Sequence, residues 1–328
     1  MKNWKVDVPV YLIFFNRPDT FSQVFEAVRQ AKPSKLFLAC DGARIGRDDD
    51  KINIEKCKEI VSKIDWECEV YRNYSEENLG CGKRMVTGID WAFEYVDRLI
   101  VLEDDCVPSD DFFYFCEELL EKYKNDDRIF MINAMNHLGK YEKTGTSYFF
   151  GPGCCWGWAT WKRAWKNMDF EMSFLQDEHS MRNIEKNHPY YSNAYSEGLL
   201  KLESFKRGMK QTTWTYQAGM ASALNSQMAI VPSYNMITNI GLTADSGHAV
   251  NNLKKLPRNI QKYFNQPSIK MEFPLKHPKY IIEDLIYYEE VNNLFKVTPF
   301  TRIEAIVRRL FYAEKGEIKK ELMKILKK

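Results

Sequence analysis

Residues 98–105 read RLIVLEDD, four consecutive apolar side chains running directly into three carboxylates. An uninterrupted aliphatic run of this length reads as a strand buried on both faces, as in a parallel sheet. Three adjacent acids at the end of such a strand repel one another in a partly desolvated crevice until a cation, an arginine or a proton relieves them. Ligands of open α/β sheets bind outside the carboxyl ends of the strands, near the point where strand order reverses. Glu103, Asp104 and Asp105 are therefore the first candidate site. Their oxygen donors suit Mg²⁺ or Mn²⁺, ions that keep coordination positions open for phosphate oxygens. The competing reading is that Ser109 or Asp110 caps the next helix and the acids are merely solvated. Asp48-Asp49-Asp50 and Asp126-Asp127 are acid runs with no strand before them and read as surface or helix-start residues.

Outward from this stretch the first half alternates strand and helix signals. Val8 to Phe15 is an apolar run, followed after Pro18 by Phe21, Phe25 and Val28 at helical spacing. Lys35 to Cys40 is a second run, with Ile54, Cys57, Val61 and Ile64 behind it. Glu67 to Tyr71 is a weaker third strand. Asn78 to Gly82 is turn chemistry, and Met85, Ile89, Phe93 and Val96 mark a third helix. Strands separated by helices of this length need crossovers, so the pattern predicts an α/β fold with a mostly parallel central sheet flanked by helices. Beyond a strand at Ile129 to Asn133 the rhythm loosens into an aromatic stretch at Tyr148 to Trp165, helical patterns between Met181 and Leu202, short strands at Ala229 to Val231 and Asn235 to Thr238, and a loop, GLTADSGH, at Gly241 to His248.

The 328 residues carry 47 basic and 45 acidic side chains, a net +2 that excludes a surface built wholly for nucleic acid. Residues 301–328 hold nine Lys/Arg against four Glu, leaving 38 basic against 41 acidic elsewhere, so the C-terminus is a distinct basic surface. There Ile303, Ile306, Val307, Leu310 and Phe311, then Ile318, Leu322, Ile325 and Leu326, predict two amphipathic helices. They suit an anionic membrane surface, the catalytic body or a second subunit of a homodimer. No apolar run reaches the ~18 residues that span a bilayer, and no signal-peptide cleavage pattern is present. Eight cysteines without a C-x-x-C pair read as reduced thiols. The expectation is a cytoplasmic protein, peripheral on the inner face of the plasma membrane if the tail binds lipid.

The series PVYLIFFNRP (9–18), LACDG (38–42), ENLGCGKR (77–84), LIVLEDDCVPSDDFF (99–113), CCWGWATWKRAW (154–165) and VPSYNMITNIG (231–241) resembles the nucleotide-diphospho-sugar transferases of the GT-A fold. More narrowly it resembles the N-acetylglucosaminyltransferase I-like group and its bacterial relatives. The resemblance implies a GT-A (Rossmann-like) domain with a C-terminal helical appendage: residues 1–248 catalytic, with a nucleotide-binding half 1–133 and an acceptor-side half 134–248, then a linker 249–279 and a basic helical tail 280–328. It further implies a metal-dependent glycosyltransferase of hexosyl or N-acetylhexosaminyl type. Such an enzyme moves a sugar from a nucleotide diphosphate, first of all UDP, to a glycan or lipid-linked glycan, with no nucleic-acid partner.

Carried onto this sequence, the resemblance makes Asp105 the metal ligand and places Glu103 and Asp104 at the ribose and donor sugar. Arg17 and Asp41 would hold the nucleoside; a surface ion pair and an Asp-Gly turn are their plainer readings. Gly80 with Lys83 or Arg84 would form a donor-contacting helix start, or Gly80 and Gly82 only a tight turn. One of Trp156 and Trp158, with Gly157 between them, would touch donor or acceptor, although Trp is first a core residue. His248 would stand near the metal. Relatives place an acid beside a tryptophan as general base, whereas Trp214 here is flanked by Thr213, Thr215, Tyr216 and Gln217. Asp245 and Glu178 are the substitute base candidates, with Asp177 and Glu203 behind them. A nucleotide-sugar-binding or scaffold protein without transfer activity is the alternative. A sugar-phosphate nucleotidyltransferase ranks last, because no glycine-rich loop follows the first strand.

Overall fold

The computed structural model describes residues 5–188, 193–206, 214–241, 253–264, 266–296 and 298–312. Its first half alternates as the sequence predicts: β1 (Val10–Phe14), α1 (Pro18–Ala31), β2 (Lys35–Cys40), α2 (Asp48–Val61), β3 (Glu69–Tyr74), α3 (Cys81–Ala92) and β4 (Arg98–Glu103). Pro18 opens α1, where its missing N–H would have had no partner, and Phe21, Val24, Phe25 and Val28 form the buried stripe. Alternate residues of β1 feed opposite cores: Val10, Leu12 and Phe14 pack with Phe21 and Leu38, and Tyr11 packs with Phe37, Ile89 and Val101. β1 lies parallel to β2 and β4, and β2 parallel to β3. Successive strands thus step outward from β1 to β3, then β4 lands on the other side of β1. The switch point lies between the ends of β1 and β4.

The second half completes an eight-stranded sheet in the order β3-β2-β1-β4-β8-β6-β9-β7. It contributes β5 (Cys106–Pro108), α4 (Asp110–Lys122), β6 (Ile129–Asn133), β7 (Tyr148–Gly151), β8 (Trp158–Trp161), α5 (Lys162–Trp165), α6 (Glu178–Asn187), α7 (Ala194–Lys206), α8 (Thr215–Leu224), β9 (Met228–Pro232) and β10 (Ile237–Asn239). β8 and β7 run against the other six strands, so the sheet is mixed and mostly parallel. A separate antiparallel ribbon, β5 with β10, sits at the end of β4.

The C-terminal part adds α9 (Arg258–Tyr263), α10 (Leu285–Phe295) and α11 (Pro299–Phe311). Much of the stretch read as a linker is laid against the body. The Ile269 N–H donates to the Asn235 carbonyl (2.7 Å) and the Met271 N–H to the Asp111 carboxylate (2.8 Å). Met271 and Leu275 join the core on the same side as Phe14. α10 buries Tyr287 and Val291 against Phe149 and Val231. α11 is strongly amphipathic and, like α9, has no buried residue. The second expected tail helix, with Ile318, Leu322, Ile325 and Leu326, lies outside the described residues, as does the loop from Leu242 to His248.

Candidate functional site

At the switch point Ile13 of β1 is paired with Glu103 of β4, so the chain leaving β1 faces the chain leaving β4. Arg17, just before α1, reaches across. Its Nη1 donates to Asp105 Oδ2 (2.9 Å) and its Nη2 to Asp104 Oδ1. The other Asp104 oxygen accepts the Phe15 N–H (3.1 Å). A planar guanidinium is suited to such a two-pronged contact. Of the three ways to relieve the crowded acids, the fold uses an arginine for two of them. Arg17, expected at the nucleoside, is thereby a member of the acid cluster.

Glu103 is left over. It has no hydrogen bond or ion pair among the described residues, and burial, then the charges of Asp105 and Asp104, push its carboxyl well above the usual carboxylate range against the pull of Arg17. Burial also raises Asp104, opposed chiefly by Arg17. Asp105 accepts from the Cys106 thiol at Oδ1 (3.2 Å). It also holds the β5–β10 ribbon, its carbonyl accepting the Ile240 N–H (2.8 Å). A Cβ on Gly241 would sit 2.1 Å from Asp105 Oδ2, so only glycine lets the chain pass there. Asp245 and His248, the base and metal candidates of the loop, lie outside the described residues.

Among the described residues no three His, Cys, Asp or Glu side chains converge as a metal cage. The donor chemistry nevertheless fits a hard divalent ion that shares its shell with a phosphate: oxygen donors only, one guanidinium against three carboxyls, and Glu103 unpaired. Asp105, with Glu103 two residues before it on the same strand end, would hold such an ion.

Beside the acids, Asp41 at the end of β2 gathers its own loop. Its oxygens accept the N–H groups of Gly42 (3.0 Å), Leu79 (2.8 Å) and Gly80 (2.9 Å) and the Asn78 side-chain amide (3.1 Å). Four bonds fill a carboxylate's acceptor capacity, so Asp41 shapes the loop that starts α3 and has nothing left for a nucleoside. Gly80 caps that helix. Arg84 is buried, donating to the Cys40 carbonyl (3.1 Å) and to the carbonyl and side chain of Asn73, which ties the ends of β2 and β3. It is a brace within the sheet and does not face a diphosphate. Lys83, one residue earlier, is exposed on the first turn of α3.

A cavity of about 490 Å³ opens in the second half of the chain, lined among others by Cys154, Cys155, Trp156, Glu197, Lys201, Trp214 and Tyr216. Burial raises the thiols of Cys154 and Cys155, and the Glu103 charge adds to the effect. Trp156 is half-buried, its ring 4.9 Å from that of Tyr263. Trp158, in contrast, is fully buried and stacks on Trp214 at 5.2 Å, so it is a core residue unavailable to a sugar. Gly157, expected in the donor site, turns the chain at φ +62° where a Cβ would strike Ile237 at 2.6 Å. Glu178 stands exposed on α6, 3.3 Å from Arg182, and does not line the cavity. Asp177 caps that helix by accepting the Ser180 N–H.

Sequence reasoning missed three cavity residues. Glu197 and Lys201 stand one turn apart on α7, 3.4 Å from each other, where an i, i+4 pair reads as an ordinary solvated face. His137 is buried with no partner for Nδ1 among the described residues, and burial lowers its pKa from 6.5 to about 4. The folded chain keeps this ring neutral where the unfolded chain protonates it. The contribution is complete above pH 6.5 and is lost as pH falls toward 4. Urea unfolding across that interval should show His137→Phe losing about 3 kcal/mol less than the native chain. Equal losses would mean that His137 is not held neutral.

No protein-family model matches this chain, and no curated protein matches it. Several solved structures are similar in fold. UDP-glucose pyrophosphorylase complexed with UDP-glucose has 7% identity over 70% of this chain and 91% of its own, at a TM-score of 0.32. A mannose-1-phosphate geranyltransferase from Thermus thermophilus has 10% identity over 70% and 74%, at 0.34. Apo UDP-glucose pyrophosphorylase has 8% over 71% and 93%, at 0.33. At such scores the likeness assigns no role to any residue.

Proposed function

We propose that this chain is a glycosyltransferase that moves a sugar from a nucleotide diphosphate, UDP first, to a hydroxyl of a glycan or glycolipid. The observation that carries this reading is the acid cluster at the β1/β4 switch point, where Arg17 pairs with Asp104 and Asp105 and Glu103 is left without an ion pair among the described residues. Asp105 and Glu103 would hold Mn²⁺ or Mg²⁺, which when bound supplies positive charge against the departing diphosphate. Lys83 approaches the same anion from the start of α3, and Trp156 offers a flat face to a sugar ring. Glu197 replaces the acid missing beside Trp214. Its carboxylate takes the acceptor's hydroxyl proton as the new bond to the anomeric carbon forms and the bond to the diphosphate oxygen breaks. Lys201, 3.4 Å away, orients it.

A thermal-shift screen of UDP-, GDP-, CMP- and dTDP-sugars with and without Mn²⁺ tests this reading. One nucleotide should stabilise the protein, and more so with the metal, by about 2.7 kcal/mol at a hundred times its Kd. No stabilisation by any of the four removes the proposal. Incubating the bound donor with glycan acceptors, and separately with pyrophosphate, then separates the reactions. Sugar on an acceptor supports transfer, and release of a nucleoside triphosphate identifies a sugar-1-phosphate nucleotidyltransferase. Against the latter, residues 15–17 are closed onto the acids through the Phe15 N–H and Arg17, leaving no phosphate cradle after β1.

A further inference from the structure

α11 is built the wrong way round for a helix of a water-soluble body. Thr298 caps it, its hydroxyl accepting the Thr301 N–H (3.1 Å) while Thr301 Oγ1 accepts the Thr298 N–H (2.8 Å), and Arg308 and Arg309 in the last turn favour the helix dipole. The side turned to the protein is polar. Glu304 accepts from the Arg258 N–H (3.2 Å) and from Arg308 Nε (2.7 Å), and Arg308 Nη1 donates to the Lys254 carbonyl (3.3 Å). The side turned outward is apolar. Phe300, Ile303, Val307 and Phe311, spaced three and four residues apart and so on one stripe, are 75%, 61%, 57% and 79% exposed. Arg302 and Arg309 are exposed beyond the stripe's edge.

We propose that this stripe docks onto an anionic lipid bilayer and lies in the plane of its surface. Charge selects the occupant. Residues 301–328 carry nine Lys/Arg against four Glu, whereas the rest of the chain has more acids than bases. Anionic headgroups attract such a segment, and a second copy presenting the same face would be repelled by it. No helix among the described residues is long and apolar enough to cross a membrane, so in-plane binding is the mode left to α11. The inference is independent of the reaction at the switch point.

Co-sedimentation of the full chain with phosphatidylcholine vesicles, with and without phosphatidylglycerol, tests it. The protein should pellet with the anionic vesicles alone and less at high salt. Arg309→Ala should weaken partitioning about fivefold. The double variant Ile303→Asp with Val307→Asp should weaken it about a hundredfold with unchanged melting temperature, since both side chains are exposed. Absence from both pellets overturns the proposal, as does undiminished binding of the double variant. A lowered melting temperature in that variant, meaning that the chain's own residues cover the stripe, or a solution dimer that it dissolves, also overturns it.

Discussion

Asp105→Asn is expected to abolish transfer, by at least about a thousandfold, and to remove the part of donor binding that depends on Mn²⁺. Asparagine keeps the size of the side chain and an oxygen for Arg17 or Cys106, so the ribbon of β5 and β10 and the close pass of Gly241 are preserved. The charge that would balance the ion is lost. Turnover in the variant, or full native activity in a chelator, would show that Asp105 holds no catalytic metal. Glu197→Gln is the complementary case. Donor binding should persist while kcat falls about a hundredfold, the loss typical of a missing general base. Partial recovery in Glu197→Asp would separate a proton acceptor from a wall residue.

The strands were legible where burial on both faces writes an unbroken aliphatic run, as at Lys35–Cys40 and Ile129–Asn133. β7 and β8 were not. YFFG and WATW are aromatic and wholly buried, without alternation, and their antiparallel places beside β9, β4 and β6 depend on partners far along the chain. The acids at the end of β4 were legible for the same reason as the strand. The partner that balances them, Arg17, is 87 and 88 residues away from Asp104 and Asp105. Lys83 and Arg84 show the limit at single-residue scale: one step along a helix is about 100° of rotation, enough to expose the first and send the second under the sheet. Trp156 and Trp158 divide likewise, since the latter begins β8 and is drawn into the stack with Trp214.

Arg17→Ala should cost about 3–5 kcal/mol of folding stability, the scale for breaking a buried ion pair by removing one partner. Asp104 is buried and would keep, among the described residues, the Phe15 N–H alone, and its neighbours Glu103 and Asp105 would lose the positive charge of Arg17 that opposes their repulsion. Against the 5–15 kcal/mol of a typical domain this is a large fraction. The urea midpoint should fall with little change in slope, because the surface exposed on unfolding is nearly the same. Arg17→Lys restores the charge without the two-pronged geometry and should recover only part of the loss. The same variant measures whether the acid cluster accepts a cation. With the guanidinium gone, Mn²⁺ has the charge of Arg17 to replace, so it should raise the melting temperature of Arg17→Ala more than that of the native chain. An Arg17→Ala protein as stable as the native one would show that the three acids at the end of β4 are balanced by solvent, and with that result the electrostatic basis for a metal and a diphosphate at this sheet edge would be gone.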